Sequence, residues 1–288
     1  MILKFWGTRG SIPVPGGDTL IFGGNTPCIQ ITTTTNEVII LDAGTGIREL
    51  GKVLAGGINR EVNLLISHSH WDHVHGIPFF LPFFRKDFKI NIFSCSDNGF
   101  NAESIIDAQM QPSFFPVNKE VFNADVTYNA LTSGESYNIG GVKVETLKVN
   151  HSKGTLSFKV TENGKSVVYM TDNEIKFDVK DQRIDVESLK TLNSDLINFC
   201  NGSDFLIHDS MYNLESFSEK VGWGHSNNVS LAYFSILAEV KNLVLFHYDP
   251  DYSDEIVSTM FNGTNNILKE CNTEINCIAS KEGLEIHL

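Results

Sequence analysis

Ile2–Trp6, Cys28–Thr34, Val38–Leu41 and Val62–Ser67 are short apolar runs rich in β-branched residues, which predicts strands, and a helical spacing over Gly46–Leu54 separates the last two. After a less regular middle, strands are predicted again at Val142–Val149, Leu156–Val160 and Ser166–Met170. The tail alternates: helix Val186–Phe199, strand Phe205–Ile207, helix Val229–Glu239, strand Leu243–Phe246, a helix from about Asp254 to Glu270 and a last strand near Leu284–His287. Strands first and strand–helix alternation later predict an α/β chain in which two mixed sheets pack together with helices outside. Residues 81–129, rich in Phe, Pro and Asn, read as an insertion or lid over one end. No repeat and no low-complexity linker divides the chain, so residues 1–288 are expected to form a single domain.

Charge narrows the partners. The net charge is −13, with 22 basic against 35 acidic residues and no basic run. Bulk nucleic acid is a poor partner for such a chain, because phosphate neutralisation needs clustered Lys and Arg. A small anionic substrate stays open, since bound cations invert the field inside one cleft. Met1–Trp6 lack the pattern of an export signal and no long apolar run suggests a membrane span. Five scattered cysteines (Cys28, Cys95, Cys200, Cys271, Cys277), with no Cys-x-x-Cys, point to a reducing, cytoplasmic setting rather than a disulfide frame or thiolate metal site.

The candidate chemistry lies directly after the predicted strand Val62–Ser67, in His68-Ser69-His70-Trp71-Asp72-His73. At a strand end His68 and His70 can point the same way by the period of two. The chain then turns, so that Asp72 and His73 can face a second point nearby. Imidazole and carboxylate are the ligand set preferred by zinc and related divalent metals. Two ions about 4 Å apart would hold both oxygens of a displacement. His75 falls outside this pattern.

His68-Ser69-His70-Trp71-Asp72-His73 resembles the signature of the metallo-β-lactamase superfamily, which implies an αββα sandwich and further ligands downstream. By that resemblance His68, His70 and His151 would bind one ion, Asp72, His73 and His247 the other, with Asp172 between them. His151, Asp172 and His247 each follow a predicted strand. Zinc is the default, and the same set accepts manganese or iron. Phe5-Trp6-Gly7-Thr8-Arg9-Gly10-Ser11-Ile12-Pro13, Gly23-Gly24-Asn25-Thr26 and Leu41-Asp42-Ala43-Gly44-Thr45-Gly46 are similar to the phosphodiesterase and ribonuclease Z branch. Asp42 is expected to support the metal loop rather than bind metal. Arg9 reads either as a solvent-exposed side chain or as a bidentate phosphate contact.

Two later segments bear on mechanism. Leu206-Ile207-His208-Asp209-Ser210 and Gly222-Trp223-Gly224-His225-Ser226 are similar to ribonuclease Z segments in which an acidic residue orients a proton-donating His. Carried over, Asp209 would orient His225 as general acid, although Asn227 stands where that family has Thr; Ser226 also reads as a helix N-cap. Asp72 would both bind metal and orient the nucleophile. The arm with which ribonuclease Z grips tRNA commonly lies between the third metal His and the bridging Asp, and the interval from His151 to Asp172 holds only two predicted strands and the turn Glu162-Asn163-Gly164-Lys165. The reading is therefore a dinuclear hydrolase of small phosphodiesters such as cyclic nucleotides. Its rivals are a tRNA 3′-end endonuclease and a metal-binding sensor or redox module that hydrolyses nothing. The run Phe79-Phe80-Leu81-Pro82-Phe83-Phe84 suits either a homodimer interface or the core.

Overall fold

A computed structural model describes residues 1–96, 101–181 and 183–288. Strands β1 (Ile2–Gly7), β2 (Cys28–Thr32), β3 (Val38–Leu41), β4 (Glu61–Ile66), β5 (Lys89–Cys95) and β6 (Asp125–Leu131) lie side by side in chain order. Strands β7 (Ser136–Ile139), β8 (Val142–Lys148), β9 (Leu156–Glu162) and β10 (Lys165–Met170) begin a second sheet. Beyond the small hairpin β11 (Val179–Lys180) and β12 (Arg183–Ile184), it continues through β13 (Phe205–Asp209), β14 (Asn242–Phe246) and β15 (Asn276–Ala279). The last strand, β16 (Glu285–His287), returns antiparallel to β1 and closes the first sheet's edge.

Each sheet is antiparallel on one side and parallel on the other: β3 through β6 run parallel, as do β10, β13, β14 and β15. Burial follows from this. The central parallel strands β3 and β4 read Val-Ile-Ile-Leu and Val-Asn-Leu-Leu-Ile with every one of those side chains buried, as expected of strands covered on both faces. Strand β1, nearer an edge, alternates. Between the sheets lie Leu3, Phe5, Leu41, Leu65, Phe158, Tyr169 and Phe246. Outside the first sheet, α1 (Ile47–Gly56), the short α2 (Trp71–Val74) and α3 (Ala102–Gln109) cover Ile40, Leu64 and Ile90. Outside the second, α4 (Val186–Leu192), α5 (Ser194–Cys200), α6 (Leu214–Phe217), α7 (Asn228–Leu237) and α8 (Asp254–Glu270) accompany a core of Val168, Leu206, Leu231, Phe234 and Leu243. The expected α/β arrangement of two packed mixed sheets flanked by helices is what the chain forms. No helix among the described residues is long and apolar enough to cross a membrane.

Two expectations change. The predicted helix Val186–Phe199 breaks at Asn193, whose amide donates to the carbonyls of Leu189 and Lys176 while its oxygen accepts the Lys176 N–H, so the side chain serves as the backbone partner of a distant segment. Residues 81–129, expected as an insertion or lid, contribute β5 and β6 to the first sheet, which leaves at most the part around α3 outside it; residues 97–100 of that stretch lie outside the described residues. In the Phe-rich run, Phe80 and Phe83 are fully buried and Phe83 stacks on Phe122 at 4.4 Å, whereas Phe79 is exposed.

Candidate metal centre

All the candidate residues except His225 sit where the chain leaves a strand on one rim of the sandwich: His68–His73 after β4, His151 after β8, Asp172 after β10, Asp209 at the end of β13 and His247 after β14. This is the carboxyl end of the parallel strands, where loops diverge and leave a crevice. Asp42, Asp172 and His247 leave their strands with φ of 61°, 45° and 60°. Such a left-handed turn is uncommon for residues other than glycine and turns the side chain sharply into the crevice.

The two oxygens of Asp172 divide the cluster. Nε2 of His68 and Nε2 of His151 each lie 3.5 Å from Oδ2, and His70 Nδ1 is 3.0 Å from His151 Nε2. Nε2 of His73 and Nε2 of His247 lie 3.1 and 3.2 Å from Oδ1, and the same two nitrogens are 3.3 and 3.1 Å from Oδ2 of Asp72. The sets His68, His70, His151, Asp172 and Asp72, His73, Asp172, His247 each offer ligand atoms within 4.8 Å of one another. The structure thus brings together all seven residues that the sequence singled out.

This donor set fits divalent cations. Nε2 of His68 and Nε2 of His73 are buried and make no hydrogen bond among the described residues, facing only the carboxylate oxygens at 3.1–3.5 Å. An unpaired buried polar atom is costly, and a cation at the convergence point removes that cost. The opposite nitrogens are held from behind. His73 Nδ1 meets Asp42 Oδ2 at 2.7 Å, His68 Nδ1 meets Ser67 Oγ at 3.1 Å, and His151 Nδ1 donates to the Gly224 carbonyl at 2.9 Å. Partners of this kind fix ring orientation and tautomer so that Nε2 faces inward. Asp42 is itself fully buried and also accepts from Ser67 N–H, Ser67 Oγ–H and Tyr169 O–H. It therefore supports the loop, as expected, and contributes to neither ligand set. Burial disfavours charge on Asp172 and Asp72, yet the surrounding imidazoles hold both carboxyls well below the usual range; the same carboxylates, with Asp42, raise His73 against its burial.

His225 precedes α7 and packs over the cluster, with its ring 5.0 Å from that of His151 and stacked at 5.2 Å on that of His247. Its Nδ1 donates to Oδ2 of the fully buried Asp209 at 2.6 Å, while Oδ1 of Asp209 is fixed by the Met211 N–H. Burial alone would lower His225, but the carboxylates of Asp209, Asp172 and Asp72 together outweigh it and push the imidazole up to about 9. Asp209 and His225, with Asp172 and His247, also offer ligand-type atoms within 4.8 Å of one another.

Some sequence expectations need correcting. Arg9 is neither solvent-exposed nor turned to the crevice. It is fully buried, donating to the carbonyls of Gly23 at 2.9 Å and Tyr252 at 2.6 Å, and it ties the loop after β1 to the loop after His247. The N-cap of α7 is Asn227, whose Oδ1 accepts from Val229 and Ser230 N–H. Ser226 instead donates to the Asn173 carbonyl and accepts the Ile175 N–H, fastening the His225 turn to the loop behind Asp172. His75 stays outside the cluster and bonds the Trp71 carbonyl. Sequence reading missed the work of two glycines. A β-carbon at Gly10 would lie 2.5 Å from the His247 ring, and one at Gly224, where φ is +85°, would lie 2.2 Å from the His151 ring. Gly224, next to His225, offered a signal in the sequence, whereas nothing near Gly10 pointed to His247.

With this geometry in view, the comparisons agree on the fold. The profile of the beta-lactamase superfamily domain matches residues 38–248. A ribonuclease Z of Picrophilus torridus is 26% identical over 88% of this chain and 87% of its own length. Among solved structures, the metallo-beta-lactamase fold protein YhfI from Bacillus subtilis superposes with a TM-score of 0.67 at 15% identity, over 99% of each chain. Unliganded yeast PDE1 superposes with a TM-score of 0.64 at 12% identity, over 100% of this chain and 99% of its own.

Proposed function

This chain belongs to the beta-lactamase superfamily, and from that premise we propose that it is a metal-dependent phosphodiesterase acting on small phosphodiesters, cyclic nucleotides among them. His68, His70 and His151 would hold one divalent cation, Asp72, His73 and His247 a second, and Asp172 both, zinc being the default metal. When bound, such cations supply Lewis acidity toward phosphoryl oxygens and a nucleophilic water. Asp72, fixed by the Ser11 N–H at 2.8 Å, would orient the attacking water.

The observation that carries the reading is the 2.6 Å Asp209–His225 pair set against the cluster. Breaking a P–O bond expels an alkoxide, which needs a proton as the bond breaks. Held above neutrality, His225 is an imidazolium at pH 7, with one proton on Nδ1 facing Asp209 and a second on Nε2 free for that transfer. Bound cations would draw the imidazole back toward neutrality and strengthen it as a donor.

A second reading, ribonuclease Z-type cleavage, is favoured by the relative's name and opposed by the −13 charge and by the direct hairpin from β9 to β10, whose turn at Asn163-Gly164 leaves no room for an arm. The test is metal content together with a panel of cyclic nucleotides, linear diesters and a precursor tRNA. Two metals per chain and turnover of small diesters are expected. Cleavage of the tRNA alone would replace the reading with the nuclease, and hydrolysis of nothing would replace it with a metal-binding module. Within the panel, His225→Ala should lower turnover of a poor-leaving-group diester by about 10²–10⁴-fold and that of bis-p-nitrophenyl phosphate far less. Equal losses would remove the general acid.

A further inference from the structure

Beside the metal pocket lies a cavity of about 320 Å³, near the lower end of the roughly 300–1,000 Å³ typical of small-molecule sites. His68 and His70 form part of its wall, Ser69, Ser94 and Ser152 line it too, Ser94 Oγ donating weakly to the Cys95 carbonyl and Ser152 Oγ bonding Thr155 Oγ1, and Lys153, two residues past His151, supplies a positive charge. Lys153 is exposed and has no hydrogen bond or ion pair among the described residues. Other lysines differ: Lys165 and Lys241 both reach Asp204, and Lys119 is held by Glu103 and Asp107. An unpaired ammonium next to a pocket suited to two cations is repelled by them until an anion lies between. Neither His225 nor Asp209 lines the cavity, so with His225 protonating the departing oxygen, as proposed above, the cavity would face the part of the substrate that stays with phosphorus.

We propose that this cavity binds the retained side of a small phosphodiester bearing a second anionic group, with Lys153 meeting that anion and Ser69, Ser94 and Ser152 meeting its oxygens or neighbouring hydroxyls. It rests on the diesterase reading and narrows the substrate class within it. A compact ammonium on a flexible stem suits a phosphate or carboxylate as a point charge, and hydroxyls serve as both donors and acceptors around it.

The test pairs two substrates with one leaving group: thymidine 5′-(p-nitrophenyl phosphate) with and without a 3′-phosphate. Lys153→Met should lower kcat/KM for the 3′-phosphorylated ester by about 10–100-fold, the loss expected of one charge-assisted hydrogen bond, and leave the other ester unchanged. Lys153→Arg should restore most of the difference. Calorimetric binding of thymidine 3′,5′-bisphosphate and thymidine 5′-phosphate to zinc-loaded protein supplies a readout that needs no turnover, and the same selective loss is expected there. If neither ester is hydrolysed but the bisphosphate preference exists and falls with Lys153→Met, the diesterase reading fails and the subsite stands. If the esters turn over but Lys153→Met affects both alike or neither, the subsite is overturned and the diesterase reading stands. Absence of any bisphosphate preference in the wild-type protein also overturns it.

Discussion

Asp42→Asn is the most informative single substitution, because it separates the support of the centre from its ligands. The Asp42 carboxylate accepts four hydrogen bonds: Ser67 N–H at 2.7 Å, Ser67 Oγ–H at 2.8 Å, Tyr169 O–H at 2.7 Å and His73 Nδ1–H at 2.7 Å. Three of these converge on Oδ2. Asn tolerates the positive φ at this position, so the backbone turn survives and only the chemistry changes. With the amide oxygen kept toward Ser67 N–H, the NH₂ group faces Tyr169, Ser67 Oγ and His73. The hydroxyls can rotate away, but the imidazole can satisfy the amide only by presenting Nδ1 as an acceptor. That moves its proton to Nε2, which is then unable to bind a cation.

Support contacts of this type are worth about 10–100-fold in metal affinity, and the loss should fall on the site that contains His73 while the His68–His70–His151 site is much less affected. The assay is zinc titration by calorimetry with metal content measured after dialysis; wild type should show two sites and Asp42→Asn one strong and one weakened. Asp42→Ala should go further, since each donor stranded in the core costs about 1–3 kcal/mol. Four donors allowing for partial relaxation give a loss of about 4 kcal/mol, or roughly 10 °C in Tm for a domain of this size. Asp42→Asn binding both metals with wild-type affinity would refute the role assigned to Asp42.

Gly10→Ala should place its methyl against the His247 ring, costing about 1–3 kcal/mol in strain and weakening the second metal site; metal content of the purified variant and its Tm check this. Chelation should lower Tm measurably, because ligands that bind only the folded chain stabilise it by mass action, and an unchanged Tm after complete metal removal would count against a folded-state metal centre. In the metal-free protein the carboxylates of Asp209, Asp172 and Asp72 raise His225 from its ordinary value of 6.5 to about 9, so the resulting stabilisation is complete below about pH 6.5 and is lost as pH rises through about 9. The Tm difference between wild type and His225→Gln should therefore shrink between pH 6 and pH 10, and a difference that grows over that range would reverse the sign assigned to the pair.

What could be read in advance follows from the range of the interactions. His68, His70, Asp72 and His73 declare themselves because four potential ligands crowd one strand end, whereas His151, Asp172 and His247 were legible only through the resemblance those four carry, supported by the apolar run each follows. The supporting contacts were far less legible. Tyr169 reaches Asp42 across 127 positions and Arg9 reaches Tyr252 across 243, distances over which no local pattern carries information. Strand β6 does alternate, Val126, Tyr128 and Ala130 between Asp125, Thr127 and Asn129, but it lies at the end of a stretch read as an insertion, and the short edge strands β7 and β15 present too few residues to show a period. The break at Asn193 depends on a partner in the loop before α4, so a helix of full length was the reasonable expectation from spacing alone.

Strain and chemistry coincide at this rim. Asp42, Asp172 and His247 occupy left-handed backbone positions where most residues other than glycine cost on the order of 1–3 kcal/mol, and each is the residue at which a buried strand ends. Glycine would relieve that cost at all three positions, but it would remove a side chain that accepts four hydrogen bonds, one whose two oxygens face both ligand sets, or one whose ring faces Asp72. The fold therefore carries three of its left-handed turns where carboxylates and imidazoles must be aimed, and Gly10 and Gly224 stand opposite two of the aimed rings because any larger neighbour would push them off target. Both features follow from one physical requirement: rings and carboxylates projecting from two different sheets have to meet at the same two points, and only sharp, closely backed turns at strand ends allow it.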